Sequence, residues 1–368
     1  MSDDLLYNTG LEFVRTFKKG KQGLVCLLVV RDPDMVFGKG VKGAMVNIRG
    51  KINVGDVLVV KVSQHIDYLI EHEKVVASRI SELSLPTFAN YRGSGVLWIN
   101  PSRSALNPFV TCTHPIKSKV IFFDQVYGYS LSKIIRSKEE VSVNSLIGII
   151  KLVLVSIVVA YRETRFTHYD LHTSNILVRK CDPNLNLTFR LNDEAILVLP
   201  THGYIPVIID FGFSFVDRVD TGPMYQSLAH TNVGFVSCAS DVLSDTKLFM
   251  ISVSNELKQH RSCDRTRKLR RLVRSIFSGI DVDWSCGWDT SANDSIANDI
   301  CDKLHRVNRG SDGRKCISDL FYKYDAFGID ILTTLVFLPL TGSEPNESYR
   351  DIGRHYRMFL KEFAHVED

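Results

Sequence analysis

Two polar clusters, each set against strand-like sequence, carry the residues best suited to chemistry. The first is Thr167-His168-Tyr169-Asp170-Leu171-His172-Thr173-Ser174-Asn175, an HxDxxxxN run that leads into the apolar Ile176-Leu-Val. The second is Ile208-Ile209-Asp210-Phe211-Gly212, an Asp-Phe-Gly triplet closing another apolar run. Upstream, Gly38-Lys-Gly40-Val-Lys-Gly43 has a GxGxxG spacing. Glycine lets a backbone approach a phosphate closely, and N–H groups in a hairpin can meet the anion. An ordinary glycine hairpin has the same composition. The dinucleotide-binding use of this spacing needs a helix directly after it, whereas this sequence continues as strand. Lys61 is a lone cation in Asp56-Val-Leu-Val-Val-Lys61-Val. Burying it demands a partner; on an edge strand it would simply be exposed. Glu71 and Glu73 follow, and Glu73 has Val76, Ala77 and Ile80 three, four and seven residues on, one inward helical face.

The elements that must position these groups run strands first, helices later. An apolar run over 23–30 reads as a strand of unassigned partner. Residues 34–62 read as three antiparallel strands separated by glycine turns. The stretch 64–83 lacks Gly and Pro and repeats apolar residues at helical spacing before Pro86. A strand at 119–123 precedes the turn at Tyr127-Gly128, the expected boundary between two lobes. A very apolar helix over 144–162, a loop over 166–175 and strands at 176–179, 187–191, 195–199 and 205–209 follow, then mainly helical sequence. The run from Leu146 to Tyr161 contains Lys151 and falls short of the ~20 residues a membrane span needs, so it is expected to be a buried helix.

A glycine loop, a strand lysine, HxDxxxxN and DFG, in that order, resemble the protein-kinase signature set over residues 34–260. His172 two residues after Asp170, and an insert over 189–210 that widens the separation of Asp170 from Asp210 to about 40 residues, are similar to haspin-type kinases. The phrase Pro200-Thr-His-Gly-Tyr-Ile-Pro-Val-Ile-Ile-Asp210-Phe-Gly-Phe-Ser is similar to kinases of large DNA viruses. This resemblance implies an α+β, two-lobed protein-kinase fold, with residues 1–33 as an N-terminal extension, 34–126 a small β-rich N lobe and 127–368 a larger, mainly helical C lobe. It implies a serine/threonine kinase that transfers the γ-phosphoryl group of Mg-ATP to a protein hydroxyl. Gly38, Gly40 and Gly43 would then cover the phosphates, and Lys61, paired with Glu73, would hold them. Asp170 would orient and deprotonate the acceptor, and Asn175 and Asp210 would hold Mg²⁺. Phe123 would be the gatekeeper beside the adenine-facing backbone of Asp124 and Val126, and Phe211, His168 and Ala77 would pack as an internal spine.

Departures from the pattern carry their own expectations. Tyr169 replaces the arginine that normally receives an activation-loop phosphate, so activity is expected not to depend on that switch. No Ala-Pro-Glu follows DFG. The segment Ser240–Phe249 resembles the haspin-like helix whose aspartate braces the catalytic loop, a role assigned to Asp245 with Asp241 as rival. His172 stands where lysine contacts the transferred phosphate; its imidazole either does so in a pH-dependent way or hydrogen-bonds the loop backbone. The insert over 189–210 looks like an Asn-Asp hairpin returning to the DFG strand.

Composition sets the outer bounds. The charges, 45 basic against 41 acidic, are too balanced to imply a nucleic-acid partner. The basic run Arg261–Arg274 reads as a solvated helix face or a dock for an acidic partner, and it lacks interleaved aromatics. Eight cysteines without a CxxC pair argue for reduced thiols rather than zinc or a disulfide framework. The acidic start is unlike a signal peptide. The expectation is a monomer without membrane attachment, acting on a protein substrate in host cytoplasm or nucleus, or packaged in a virion. A choline- or aminoglycoside-kinase-like enzyme and a pseudokinase scaffold are the competing readings.

Overall fold

The computed structural model describes Leu6, residues 10–19, 23–36, 45–63, 67–99, 114, 116–137, 141–190, 196–217, 240, 244–260 and 267. Over these the chain is α+β. Its elements are β1 (Leu11–Lys19), β2 (Gly23–Val30), α1 (Pro33–Val36), β3 (Met45–Ile48), β4 (Val57–Ser63), α2 (Asp67–Ser81), β5 (Tyr91–Ile99) and β6 (Ile116–Asp124). There follow β7 (Tyr129–Ser130), α3 (Leu131–Arg136), α4 (Val143–Thr164), a 3₁₀ turn at Thr173–Asn175, β8 (Ile176–Lys180), β9 (Asn186–Arg190), β10 (Ile196–Pro200), β11 (Tyr204–Ile208) and α5 (Ser244–His260).

The first six strands form one antiparallel sheet in the order β1-β2-β4-β6-β5-β3. Strand alternation sorts its residues between two faces. Leu58, Val60 and Val62 join Leu24, Cys26, Leu28, Val120 and Phe122 in a core on one side. Val59, Ile121, Phe123 and Tyr91 face the other side, toward α2 and α4. Lys61 lies opposite Ile121 on one neighbour and Val25 on the other, so it belongs to the α2 face.

Two sequence boundaries require correction. The run 23–30 finds partners on both sides, β1 and β4, so a division at residue 33 cuts through one sheet and does not set off an extension. The expected trio of paired strands over 34–62 is replaced by α1, β3 and β4, and β3 and β4 do not pair with each other. Gly50 and Gly55, at φ 78° and 90°, turn the chain between them, and β3 goes to the far edge of the sheet beside β5.

Strand β5 was not expected from its mixed Tyr-Arg-Gly-Ser-Gly start. A Cβ on Gly93 would lie 2.0 Å from the Asn47 carbonyl oxygen of β3, so only glycine allows this pairing.

Helix α4 begins where the Ser142 hydroxyl accepts the Ser145 amide and ends at Arg165, whose left-handed φ of 54° returns its N–H to the Tyr161 carbonyl. Its length and hydropathy would allow a membrane span, but 89% of its most apolar window is buried within the fold. One face packs in the main core with α2, β11 and α5, and another packs against the β9–β10 hairpin through Leu152, Val155 and Val159. That hairpin, Arg190 opposite Ile196, is the expected one; its connecting residues 191–195 lie outside the described residues.

Candidate functional site

Lys61 is nearly inaccessible, and its ammonium lies 2.6 Å from Glu73 Oε2 and 2.8 Å from Asp210 Oδ1. Burial opposes the charge on Lys61, but Asp210 and Glu73 outweigh it and the pKa is raised. Glu73 is itself buried, and desolvation pushes it up to about 6 despite the lysine. At Asp210 desolvation is again opposed by Lys61, and here the lysine prevails and the pKa falls. Asp210 leaves 46% of its side chain exposed, so one end of this triad opens outward. Glu71, the alternative partner, instead pairs with Lys74 and Lys119 at the surface. The inward face formed with Val76, Ala77 and Ile80 explains the choice of Glu73.

The register of β8 with β11 places Ile176 opposite Ile208, and the Ile209 amide donates to the Asn175 carbonyl. Asn175 and Asp210, 35 positions apart in the sequence, thereby become neighbours across the strand ends. The Asn175 amide nitrogen donates to the Asp170 carbonyl (2.9 Å) and to Asp170 Oδ2 (3.1 Å), so Oδ1 is the atom of this side chain that could bind a cation. Burial, with the charge of Asp210 adding to it, pushes Asp170 up to about 6. His172 does two things at once: Nδ1 accepts the Ser174 amide (3.2 Å), and Nε2 lies 3.7 Å from Asp170 Oδ1. The loop-backbone alternative for His172 is thus met, while its other nitrogen faces the central carboxylate.

The loop is held from below by α5. Buried Asp245 accepts the amides of His168 (2.6 Å) and Tyr169 (2.9 Å), and Ser252 Oγ accepts the Thr173 amide. Asp245 therefore takes the bracing position; Asp241 lies outside the described residues. His168, fully buried, has Nε2 2.9 Å from the Ile209 carbonyl and accepts the Asp170 amide on Nδ1. Desolvation keeps it neutral by lowering its pKa, consistent with an Nε2–H tautomer. Tyr169 and Asp210 both have positive φ, 61° and 68°, a conformation that non-glycine residues hold only when their surroundings fix it. Asp245→Ala is expected to cost about 2–3 kcal/mol, since two amides lose a charged acceptor. Urea unfolding measures it.

Phe211 is fully buried with its ring within 6.3 Å of Phe88, Phe123, Phe166 and His168. Ala77 belongs to the same core. Phe88 and Phe166 escaped the sequence reading because no motif marks them. The segment 87–89 also ties the sheet to β11 through Ile208–Thr87 and Ala89–Ile208 backbone hydrogen bonds. Beside the polar cluster, Val25, Val59, Leu177, Ile209 and Val126 are half-buried. Asp124, at the end of β6, is held by Asn90 (2.6 Å) and by Arg92.

Gly38, Gly40 and Gly43 lie outside the described residues. They fall between α1 and β3, and β3 is separated from β4 by β5 and β6. Among the described residues Gly23 opens β2 opposite Ser63, two positions from Lys61 on β4, and in the sequence it closes a Gly20-Lys-Gln-Gly23 run. The basic run 261–274 lies outside the described residues except Arg267.

Among the described residues no group of three or more His, Cys, Asp or Glu is arranged to hold a metal. The donor set present, one carboxylate and one amide oxygen, suits Mg²⁺, which keeps water and phosphate oxygens in its remaining positions.

No protein-family model matches the chain. It is 25% identical over 330 residues to "Uncharacterized protein 038R" of Invertebrate iridescent virus 3, covering 84% of this chain and 58% of that protein. It is 28% identical over 239 residues to "Uncharacterized protein 098R" of Invertebrate iridescent virus 6, covering 61% of this chain and 36% of that protein. Both are proteins of invertebrate iridescent viruses. The chain spans little more than half of the first relative's length and about a third of the second's.

Proposed function

We propose that this protein is a viral protein kinase of two lobes that transfers the γ-phosphoryl group of Mg-ATP to serine or threonine hydroxyls of a protein. The observation that carries the reading is the convergence of Lys61, Glu73, Asp210, Asn175 and Asp170 from four separate stretches of chain onto one cluster. The sheet with α2 would form the N lobe, residues 125–128 the hinge, and α3 to α5 with β7 to β11 the C lobe; ATP would lie between them. The two iridescent-virus relatives support the viral source.

In this reading Lys61 binds the α and β phosphates, its orientation fixed by Glu73. The Gly20–Gly23 stretch replaces Gly38–Gly43 as the phosphate cover, because β2 runs beside Lys61. Val25, Val59 and Leu177 would sandwich the adenine, with Asp124 and Val126 offering backbone groups at its edge. Asp170 orients the acceptor hydroxyl and takes its proton. Asn175 and Asp210 would hold Mg²⁺, which offsets charge on the transferring phosphoryl group. His172 faces the same space and is positioned to contact the phosphate.

The pH dependence follows from Asp170. A base must be unprotonated, so kcat/KM should rise as the pH passes upward through about 6, the value to which burial pushes this carboxyl. A pH–rate profile checks this; an acid limb near pH 4 would remove Asp170 from the role.

The choline-kinase-like reading is less favoured because Phe211 is locked into the aromatic core in the manner expected of a DFG phenylalanine. The test is transfer from γ-labelled Mg-ATP to mixed proteins, with choline and an aminoglycoside as competing acceptors. Labelled serine or threonine is the expected product.

A further inference from the structure

Helix α2 has a second inward polar residue that the reaction does not use. His72 is only 4% exposed, and its Nε2 lies 2.8 Å from the carbonyl oxygen of Ser214, four residues after Asp210. Its Nδ1 is buried without a hydrogen-bond partner, so Nε2 carries the proton and donates. Ser214 is itself tied to the loop around Asp170: its hydroxyl donates to the His168 carbonyl (3.2 Å). Next to it, Phe215 and Thr167 exchange both backbone hydrogen bonds, and the Asp217 amide donates to the Thr164 carbonyl.

We propose that His72 is a positioning residue, a built-in tether that holds α2 against the segment after Asp210 so that the site is assembled without a phosphorylation event. The proposal rests on the kinase reading and adds its regulation. Glu73, the next residue on α2, reaches Asp210 through the shared Lys61 and accepts a backbone hydrogen bond from Phe211, so that link stays at the Asp210 end of the segment. The His72 bond joins helix and segment directly and is shielded from water, where a lost partner costs the most. Tyr169 follows His168 in this loop, so no cation stands there to receive a phosphate that could do the same work.

The test compares the 368-residue chain with His72→Phe, which fills the space without a donor, and His72→Gln, which restores one. Amide hydrogen exchange without nucleotide is read over 67–81 and 211–217, and kcat and KM for ATP are read in phosphoryl transfer. The Phe variant is expected to exchange faster in both segments and to lose about ten-fold in kcat, with the Gln variant recovering most of both. Unchanged exchange and kcat in the Phe variant, or a Gln variant no better than Phe at equal unfolding temperature, would overturn the tether. If the wild type transfers no phosphate, the kinase reading falls, while the exchange comparison still decides whether His72 holds the helix.

Discussion

Asp170→Asn is expected to lower phosphoryl transfer by about 10²–10⁴-fold while the protein still folds and binds Mg-ATP. The substitution is nearly isosteric. The Asn175 amide nitrogen, 3.1 Å from Asp170 Oδ2, can still donate to the remaining oxygen, and the backbone bond to the Asp170 carbonyl is untouched. What disappears is the proton acceptor and one negative charge in a buried site shared with Asp210. Nucleotide affinity should therefore hold or tighten. Calorimetric titration with Mg-ATP beside single-turnover transfer separates the two effects. Loss of folding or of binding, with transfer per bound nucleotide unchanged, would show that Asp170 is structural.

Lys61→Met is expected to abolish detectable transfer and to destabilise the fold by about 3–5 kcal/mol at pH 8, the penalty for leaving a buried charge without its partner. The charge left behind is Glu73, which is 1% exposed and has its pKa pushed up to about 6 even with Lys61 present. Without the lysine that pKa rises further. A carboxyl raised in the folded state contributes stability that is fully present below its unfolded pKa and lost as the pH rises through its folded pKa. The gap between wild type and variant should therefore be smaller at pH 5.5 than at pH 8. Lys61→Met combined with Glu73→Gln should regain much of the stability at pH 8 and none of the activity. Denaturant unfolding of the wild type, the single variant and the double variant at both pH values tests this. A gap independent of pH would mean that the ion pair does not govern the cost.

The groups that were legible in the sequence are those whose chemistry conflicts with their surroundings. A lysine in a β-branched strand needs a buried acid, and helical periodicity alone chose Glu73 over Glu71. Asp170, Asn175 and Asp210 were marked by spacing and by the strands beside them, and the β8–β11 register brings them together. The sheet itself was less legible. Strand β5 carries Gly93 and Gly95 near its start, which weaken any strand pattern, yet the glycine at 93 is what lets β3 approach. Strand β1 mixes charged and apolar residues because it is an edge, with Val14 and Phe17 exposed, so it did not stand out as part of the core. His72, Phe88 and Ser252 were out of reach because their partners are far away in the chain and their types are common in any core.

The most direct measurement is incubation of the purified 368-residue protein with γ-labelled Mg-ATP and a mixed protein acceptor, beside Asp210→Asn, which removes the carboxylate assigned to Mg²⁺ and to Lys61. The account predicts label on serine or threonine with the wild type and none above background with the variant. Label transferred equally by both proteins, or a folded wild type that neither binds Mg-ATP nor transfers label to any acceptor, would contradict it.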